Sequence, residues 1–207
     1  IKPPTQNTDE AYEAYFETIL GKRLKRVKGT DLALPDTPVN IPGDVLGQWI
    51  RDGRVERGIL RKLESYVKNY STKKIQLGKD LIVIIDKNTM KHILEGHHPK
   101  YFNPKSRYNY KQGKVTSIKP TTLFPSKMTE REVEQLLIQI LQQEKGKIHR
   151  KTNKIGNWEF QFGAREEEVI IDGIKYVVGF SKETVKNGMR YRRVGQFYPK
   201  VDLPNNN

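Results

Sequence analysis

Three of the four histidines, His92, His97 and His98, fall within seven residues of one another. Imidazole titrates near pH ~6.5, so two such rings can hold opposite protonation states at neutral pH, one taking a proton and the other giving one. Cleavage of RNA needs that pairing. A base activates the 2′-hydroxyl for in-line attack on the adjacent phosphate, an acid protonates the departing 5′ oxygen, and a cation stabilises the phosphorane. The cations lie in the same stretch. Residues 87–127 hold nine lysines and arginines (Lys87, Lys91, Lys100, Lys105, Arg107, Lys111, Lys114, Lys119 and Lys127) against Glu95 alone, interleaved with Tyr101, Phe102, Tyr108 and Tyr110. Basic groups beside aromatic faces are what a single-stranded nucleic-acid surface requires. Lys105, Arg107, Lys114 and Lys127 are the candidate phosphate contacts here, with Thr122 close by and Arg192 and Gln196 on the last predicted strand.

A metal site is the competing chemistry, since His92, His97 and His98 could also be ligands. It is disfavoured: there is no cysteine, the nearby carboxylates are Asp86 and Glu95, and the basic surroundings repel a divalent cation. No cofactor is expected. Across the 207 residues, 38 Lys and Arg face 24 Asp and Glu, for a net charge of +14, which points to a polyanionic partner. Residues 81 onward carry +10 of it. The absence of cysteine excludes disulfide scaffolds and thiol nucleophiles. No apolar run reaches the ~18 residues of a membrane span. Ile1 in place of Met, with no signal segment after it, suggests a piece of a longer polypeptide.

The elements that must position these groups are readable in part. Thr8 or Asp9 caps a helix with Tyr12, Tyr15, Phe16, Ile19 and Leu20 on one stripe, ending at Gly21. The Lys22 to Lys28 run reads as a solvated face, and the prolines at 35, 38 and 42 mark an irregular linker. Asp44 caps a helix that carries Trp49 inward and stops at Gly53; a second helix covers Ile59 to Tyr70. Leu81 to Ile85 is a buried strand, followed by a helix that Gly96 terminates. Residues 97–127 read as a long ordered loop. Thr129 and Glu132 form a capping box ahead of an amphipathic helix, and His149 beyond it reads as a surface or cap residue. Trp158, Phe160 and Phe162 alternate as a strand with Trp158 in the core, and Asp172-Gly173 turns a hairpin. Residues 190–198 form a last strand with Arg192, Val194, Gln196 and Tyr198 on one face. The predicted fold class is α+β, with N-terminal helices packed on a C-terminal twisted antiparallel sheet. Its domains are residues 1–42, a helix and Pro-rich linker at a delivery junction, and 43–207, a helical hairpin plus nuclease domain.

Four short motifs in order carry a resemblance: Lys91-His-Ile-Leu-Glu-Gly-His97, Thr121-Thr-Leu-Phe-Pro125, the capped helix at Met128 to Val133, and Gly195-Gln-Phe-Tyr-Pro199. Together they resemble the EndoU-like nuclease toxin domains of bacterial polymorphic and contact-dependent inhibition systems. The resemblance implies the fold shared by barnase, EndoU and RelE-like nucleases, and metal-independent cleavage of RNA, often tRNA, to a 2′,3′-cyclic phosphate. It also implies a place at the carboxyl end of a large secreted or cell-surface protein, action in the target-cell cytoplasm, and a cognate immunity protein, expected here to be acidic. His92 matches the first family histidine, His97 or His98 the second, and Tyr198 the family tyrosine. The gap between the histidines is shorter than in the family, so Lys105, Arg107 or Lys114 could take the second position, and Gln196 stands where the family has threonine. A non-catalytic RNA-binding module, or a phage-associated protein with a degenerate nuclease fold, is the alternative.

Overall fold

Helix signals become helices where a cap and an apolar stripe coincide. In the computed structural model, which describes residues 5–6, 8–20, 37–51, 58–125, 127–154, 160–163, 168–181 and 183–202, Thr8 Oγ1 accepts the Ala11 N–H and opens α1 (Asp9–Leu20). The chain continues through β1 (Val39–Ile41), α2 (Gly43–Arg51), α3 (Gly58–Lys68), β2 (Lys73–Gln76), β3 (Leu81–Ile85), α4 (Lys87–His97), β4 (Tyr108–Lys111), β5 (Lys114–Ile118) and β6 (Thr121–Leu123). It ends with α5 (Glu130–Gln143), α6 (Lys145–Lys154), β7 (Phe160–Phe162), β8 (Val169–Ile171), β9 (Ile174–Phe180), β10 (Thr184–Lys186) and β11 (Met189–Pro199). The fold class is α+β. The Lys22 to Lys28 run, Gly21, Gly53 and Trp158 lie outside the described residues, as does the side chain of Trp49. No helix among the described residues is long and apolar enough to cross a membrane.

The chain forms two compact units, and both are discontinuous. Unit 1 comprises Ile1–Leu63, Leu94–Met128 and Val201–Asn207; unit 2 comprises Glu64–Ile93 and Thr129–Lys200. The division thus runs along a different line from a break after residue 42.

Unit 1 is built on a small core of Tyr15, Val39, Ile41, Val45, Leu46, Phe102 and Leu123, with Ile118 packed against it. The supposed irregular linker contributes to that core. β1 pairs antiparallel with β6, Val39 opposite Leu123 and Ile41 opposite Thr121. Pro38 and Pro42 flank the paired residues, so neither removes a ladder N–H, and the Pro-rich composition that argued against a strand is compatible with a short one. Gly43 begins α2 because a Cβ there would run into the Ile118 carbonyl.

Unit 2 is a seven-stranded sheet in the order β2-β3-β11-β9-β7, with β8 on β9 and β10 on β11. It is mixed, not purely antiparallel: β3 runs parallel to β11, Leu81 opposite Arg190 and Ile84 opposite Arg193. The α4 crossover explains this, because a helix after β3 carries the chain away before it can turn back as a hairpin. Thr129 Oγ1 accepts the Glu132 N–H at 3.1 Å, the expected cap, and α5 buries Val133, Leu137, Ile140 and Leu141. Asp172 and Gly173 hold φ of 51° and 77°, the left-handed pair that a type I′ turn between β8 and β9 needs.

His149 turns out to do more than cap. From α6 its Nε2 donates to Asp80 Oδ1 at 2.7 Å, and its ring lies against Gly78, where a Cβ would come within 2.6 Å of Nε2. This hydrogen bond, and secondarily the charge of Arg190, holds the Asp80 carboxyl below its ordinary value. A carboxyl lowered in the folded state favours folding while ionised, and that contribution is lost as the pH falls through the carboxylate range, below about pH 4. Asp80→Asn is therefore expected to lower the thermal midpoint at neutral pH, with the gap from wild type narrowing near about pH 3. Circular-dichroism melts at the two pH values read this directly.

Candidate functional site

The site begins where β3 ends. Asp86 Oδ1 accepts the Thr89 N–H at 2.9 Å, which caps α4, and the buried Thr89 hydroxyl donates to the Val194 carbonyl at 2.7 Å. The first turn of α4 is thereby pinned to β11. The β3 ladder reaches only to Arg193, and immediately afterwards β11 carries a bulge. Val194 pairs with Phe180 and Gln196 with Gly179, so Gly195 is the extra residue. One extra residue reverses the alternation of faces. Arg192 and Val194 are buried with Phe197 and Pro199, while Arg193, Gln196 and Tyr198 are not. The expected face of Arg192, Val194, Gln196 and Tyr198 is thus split in two by the bulge.

Between α4 and the sheet lies a pocket of about 610 Å³. Its floor is Gly179, which stands opposite Gln161 on one side and Gln196 on the other, so two carboxamides flank a bare α-carbon. Asn88, Thr89 and His92 line it from α4, Phe180 and Ser181 from the end of β9 and the residue after it, and Arg193 to Gln196 from β11. His92 is exposed and is the one imidazole in the lining among the described residues, which place no carboxylate there. Arg193 has a side chain 45% exposed and sits 3.8 Å from Asp86 Oδ2, a long and solvated pairing that leaves guanidinium donors for a ligand. The positive end of the α4 dipole adds to it. A pocket with one titratable imidazole, one arginine, amides and a hydroxyl is suited to a phosphate ester.

A Cβ at residue 179 would fall 2.8 Å from Gln196 Nε2 and closer still to its Cγ. Gln196 is therefore held in place by the missing side chain. The three atoms nearest such a methyl all belong to the Gln196 side chain, so Gly179→Ala is expected to displace that amide and to lower turnover of a phosphodiester in the pocket by about tenfold or more, a larger loss than in the thermal midpoint. Single-turnover assays paired with melts separate the two effects.

His97 and His98 have other duties, in unit 1. Arg107 Nη2 donates to His97 Nε2 at 2.9 Å, so the ring proton sits on Nδ1 and is given to the Thr122 carbonyl at 2.7 Å. The Lys100 N–H donates to His98 Nδ1, so His98 Nε2 carries the proton and donates it to the Met128 carbonyl at 2.6 Å. Both rings are neutral, buried and engaged at both nitrogens. They belong to the closure of α4, which runs through Gly96 instead of stopping there. The carbonyls of its last turn are all taken: Leu94 by the His98 N–H, Glu95 by Asn103, Gly96 by Thr121 Oγ1 and Arg107, and His97 by Phe124. A glycine at 96 is needed because a Cβ would come within 2.7 Å of Arg107 Nη2. Five residues is about 1.4 turns, so His92 and His97 point to different sides of the helix.

The remaining candidates divide similarly. Arg107 and Thr122 are absorbed in that closure. Lys105, Lys114 and Lys127 are exposed on unit 1. Arg192 is buried, with its side chain 0% exposed, and is held by Glu183 at 3.1 Å and the Ser181 carbonyl at 3.3 Å, so it is not a surface phosphate contact. Burial follows from its place in the row with Val194, and Glu183 compensates the charge. Tyr198 is half-buried, two residues beyond Gln196 on the same face. Arg193, Ser181, Asn88, Gln161 and Gly179 were not foreseen. The cap pattern Asp86 to Thr89 gave a signal for the first turn of α4, but only the sheet register brings the others to it. Among the described residues no group of three or more His, Cys, Asp or Glu is placed to hold a metal ion. No family model matches the chain, and no curated protein and no solved structure is significantly similar to it.

Proposed function

We propose that the pocket of unit 2 binds a phosphodiester of RNA and cleaves it by transesterification, and that the chain is an endoribonuclease toxin domain. The observation that carries this is the convergence of His92, Arg193, Gln196 and Ser181 on one cavity floored by Gly179. His92 removes the 2′-hydroxyl proton. The 2′ oxygen attacks phosphorus, the bond to the 5′ oxygen breaks, and Arg193 with the Gln196 amide receives the charge on the phosphorane. Tyr198, on the same strand face, gives its proton to the departing 5′ oxygen. The products are a 2′,3′-cyclic phosphate and a 5′-hydroxyl. Among the described residues the lining offers one imidazole and no carboxylate, a poor donor set for a divalent cation, which supports a step run on side chains.

The resemblance to EndoU-like toxins supports tRNA as substrate, delivery as the carboxyl part of a secreted or cell-surface protein, action in the target cytoplasm, and a cognate immunity protein. The net charge of +14 favours an acidic surface on that partner. The test is incubation with total tRNA in EDTA followed by sequencing of the RNA ends. Discrete fragments with cyclic phosphate termini support the reading; a requirement for added divalent metal refutes it. The engagement of His97 and His98 in the α4 closure favours one other reading, a module that binds RNA without cutting it, in which the same incubation gives salt-sensitive binding and intact RNA.

A further inference from the structure

Residues 108–118, where the sequence suggested loop, form a hairpin whose strands β4 and β5 pair only with each other among the described residues. The register decides what each face carries. Tyr108 stands opposite Ile118 and Tyr110 opposite Val115. An apolar row therefore starts at Ile118, packed against the unit 1 core, and runs outward to Tyr110 and Val115, which are 59% and 47% exposed. The two tyrosine rings meet edge to face with centroids 6.0 Å apart. At the tip Lys111 stands directly opposite Lys114, a like-charge pair that works against the hairpin. Gln112 adds a φ of 51° in the turn, ahead of Gly113 at 74°. From Gly96 to Thr129 the sequence contains no acidic residue, so this segment supplies no carboxylate of its own to relieve the tip.

We propose that the hairpin is a stacking arm for single-stranded RNA, with bases lying on Tyr110 and Tyr108 and successive phosphates bridging Lys111 and Lys114. Phosphates between the facing lysines would turn a repulsive pair into a binding site. The cores of protein interfaces are depleted in charge and rich in apolar area; here two exposed apolar side chains share one hairpin with the facing Lys111 and Lys114 at its tip and exposed Lys105 and Lys119 just outside its strands, the composition of a single-strand groove. A duplex, with its bases already stacked, offers nothing to the tyrosines. The inference rests on the RNA-directed reading for the identity of the polymer and adds its strand state.

The test measures fluorescence anisotropy of an end-labelled, fully 2′-O-methylated RNA oligonucleotide, which cannot be cleaved through its 2′ oxygens. Lys111→Gln with Lys114→Gln is expected to reduce the slope of log affinity against log salt by about 1.4, two single-strand phosphate contacts. Tyr110→Ala is expected to weaken binding by about tenfold and Tyr110→Phe to restore it. Circular dichroism confirms folding of each variant, and the lysine slope decides the matter if Tyr110→Ala does not fold. Unchanged slope and affinity in these variants, equal binding of a blunt duplex, or capture of an acidic protein without binding of RNA each overturns the arm. Cleavage of unmodified RNA is read separately. Hairpin-dependent binding without any cleavage leaves the arm standing and removes the nuclease reading, whereas cleavage with hairpin-independent binding does the reverse.

Discussion

Alanine in place of His92 is expected to slow RNA cleavage by about 10² to 10⁴-fold while leaving the thermal midpoint close to wild type, because the ring is exposed and in the proposed mechanism its part is proton transfer. The contrast with its neighbours makes the result decisive. His97→Ala and His98→Ala each strand part-buried partners of a buried ring, the Thr122 carbonyl and Arg107 in one case and the Met128 carbonyl and Lys100 N–H in the other. An unsatisfied buried group costs about 1–3 kcal/mol, so these two variants should melt earlier. Their loss of activity should follow their loss of folded protein. Partial rescue of His92→Ala by free imidazole would identify the missing function as a base. Equal cleavage by His92→Ala and wild type would remove the mechanism altogether.

Arg192 and Arg193 are expected to separate stability from activity over a single residue. Arg192 is fully buried, and its removal leaves Glu183 facing Arg190 at 3.3 Å with half of its compensation gone. Breaking a buried charge pair from one side costs about 3 kcal/mol, which for a chain of this length lowers Tm by roughly 6–12 °C. Arg193→Ala removes a half-exposed side chain held only by a 3.8 Å contact with Asp86, and its melt should barely move. In the proposed mechanism it removes a donor for phosphorane charge, so cleavage should fall by about 10² to 10³-fold. Melts and single-turnover rates on the two alanine variants suffice. The reverse outcome, a stable inactive Arg192→Ala beside an active Arg193→Ala, would overturn the assignment of Arg193 as the cation of the pocket.

That bulge shows why part of the site was hidden in the sequence. Strand alternation is a reliable rule until one residue is left unpaired, and Gly195 has no signature that distinguishes it from an ordinary strand glycine. The row before the bulge therefore reads one residue out, with Arg192 in the place of Arg193, whereas Gln196 and Tyr198 after it keep the expected face. His97 and His98 illustrate a different gap. Their type and spacing suit proton transfer, but the groups that occupy them, the Thr122 and Met128 carbonyls, lie 25 and 30 residues downstream and are brought in only by tertiary structure. Local signals fared better. The cap of α1, the Thr129 cap of α5 and the Asp172-Gly173 turn are decided by residues within a few positions of each other, and each stands as its residues suggested. β10 and β11 are joined through Asn187-Gly188, with φ of 52° and 75°, a turn whose chemistry was equally legible.

The parallel pairing of β3 with β11 has a consequence for synthesis. Leu81 has no β11 partner until Arg190 leaves the ribosome, and the Gly179 floor lacks its second wall until Gln196 does. The Asn40 side chain closes even later, on the carbonyl of Val201, 161 residues away. Contacts of such long range form slowly, and these wait for residues 190–201 to be made. On the proposed function, no pocket exists on the growing chain until residues 179–196 have joined the sheet, so any cutting of RNA waits on that late step.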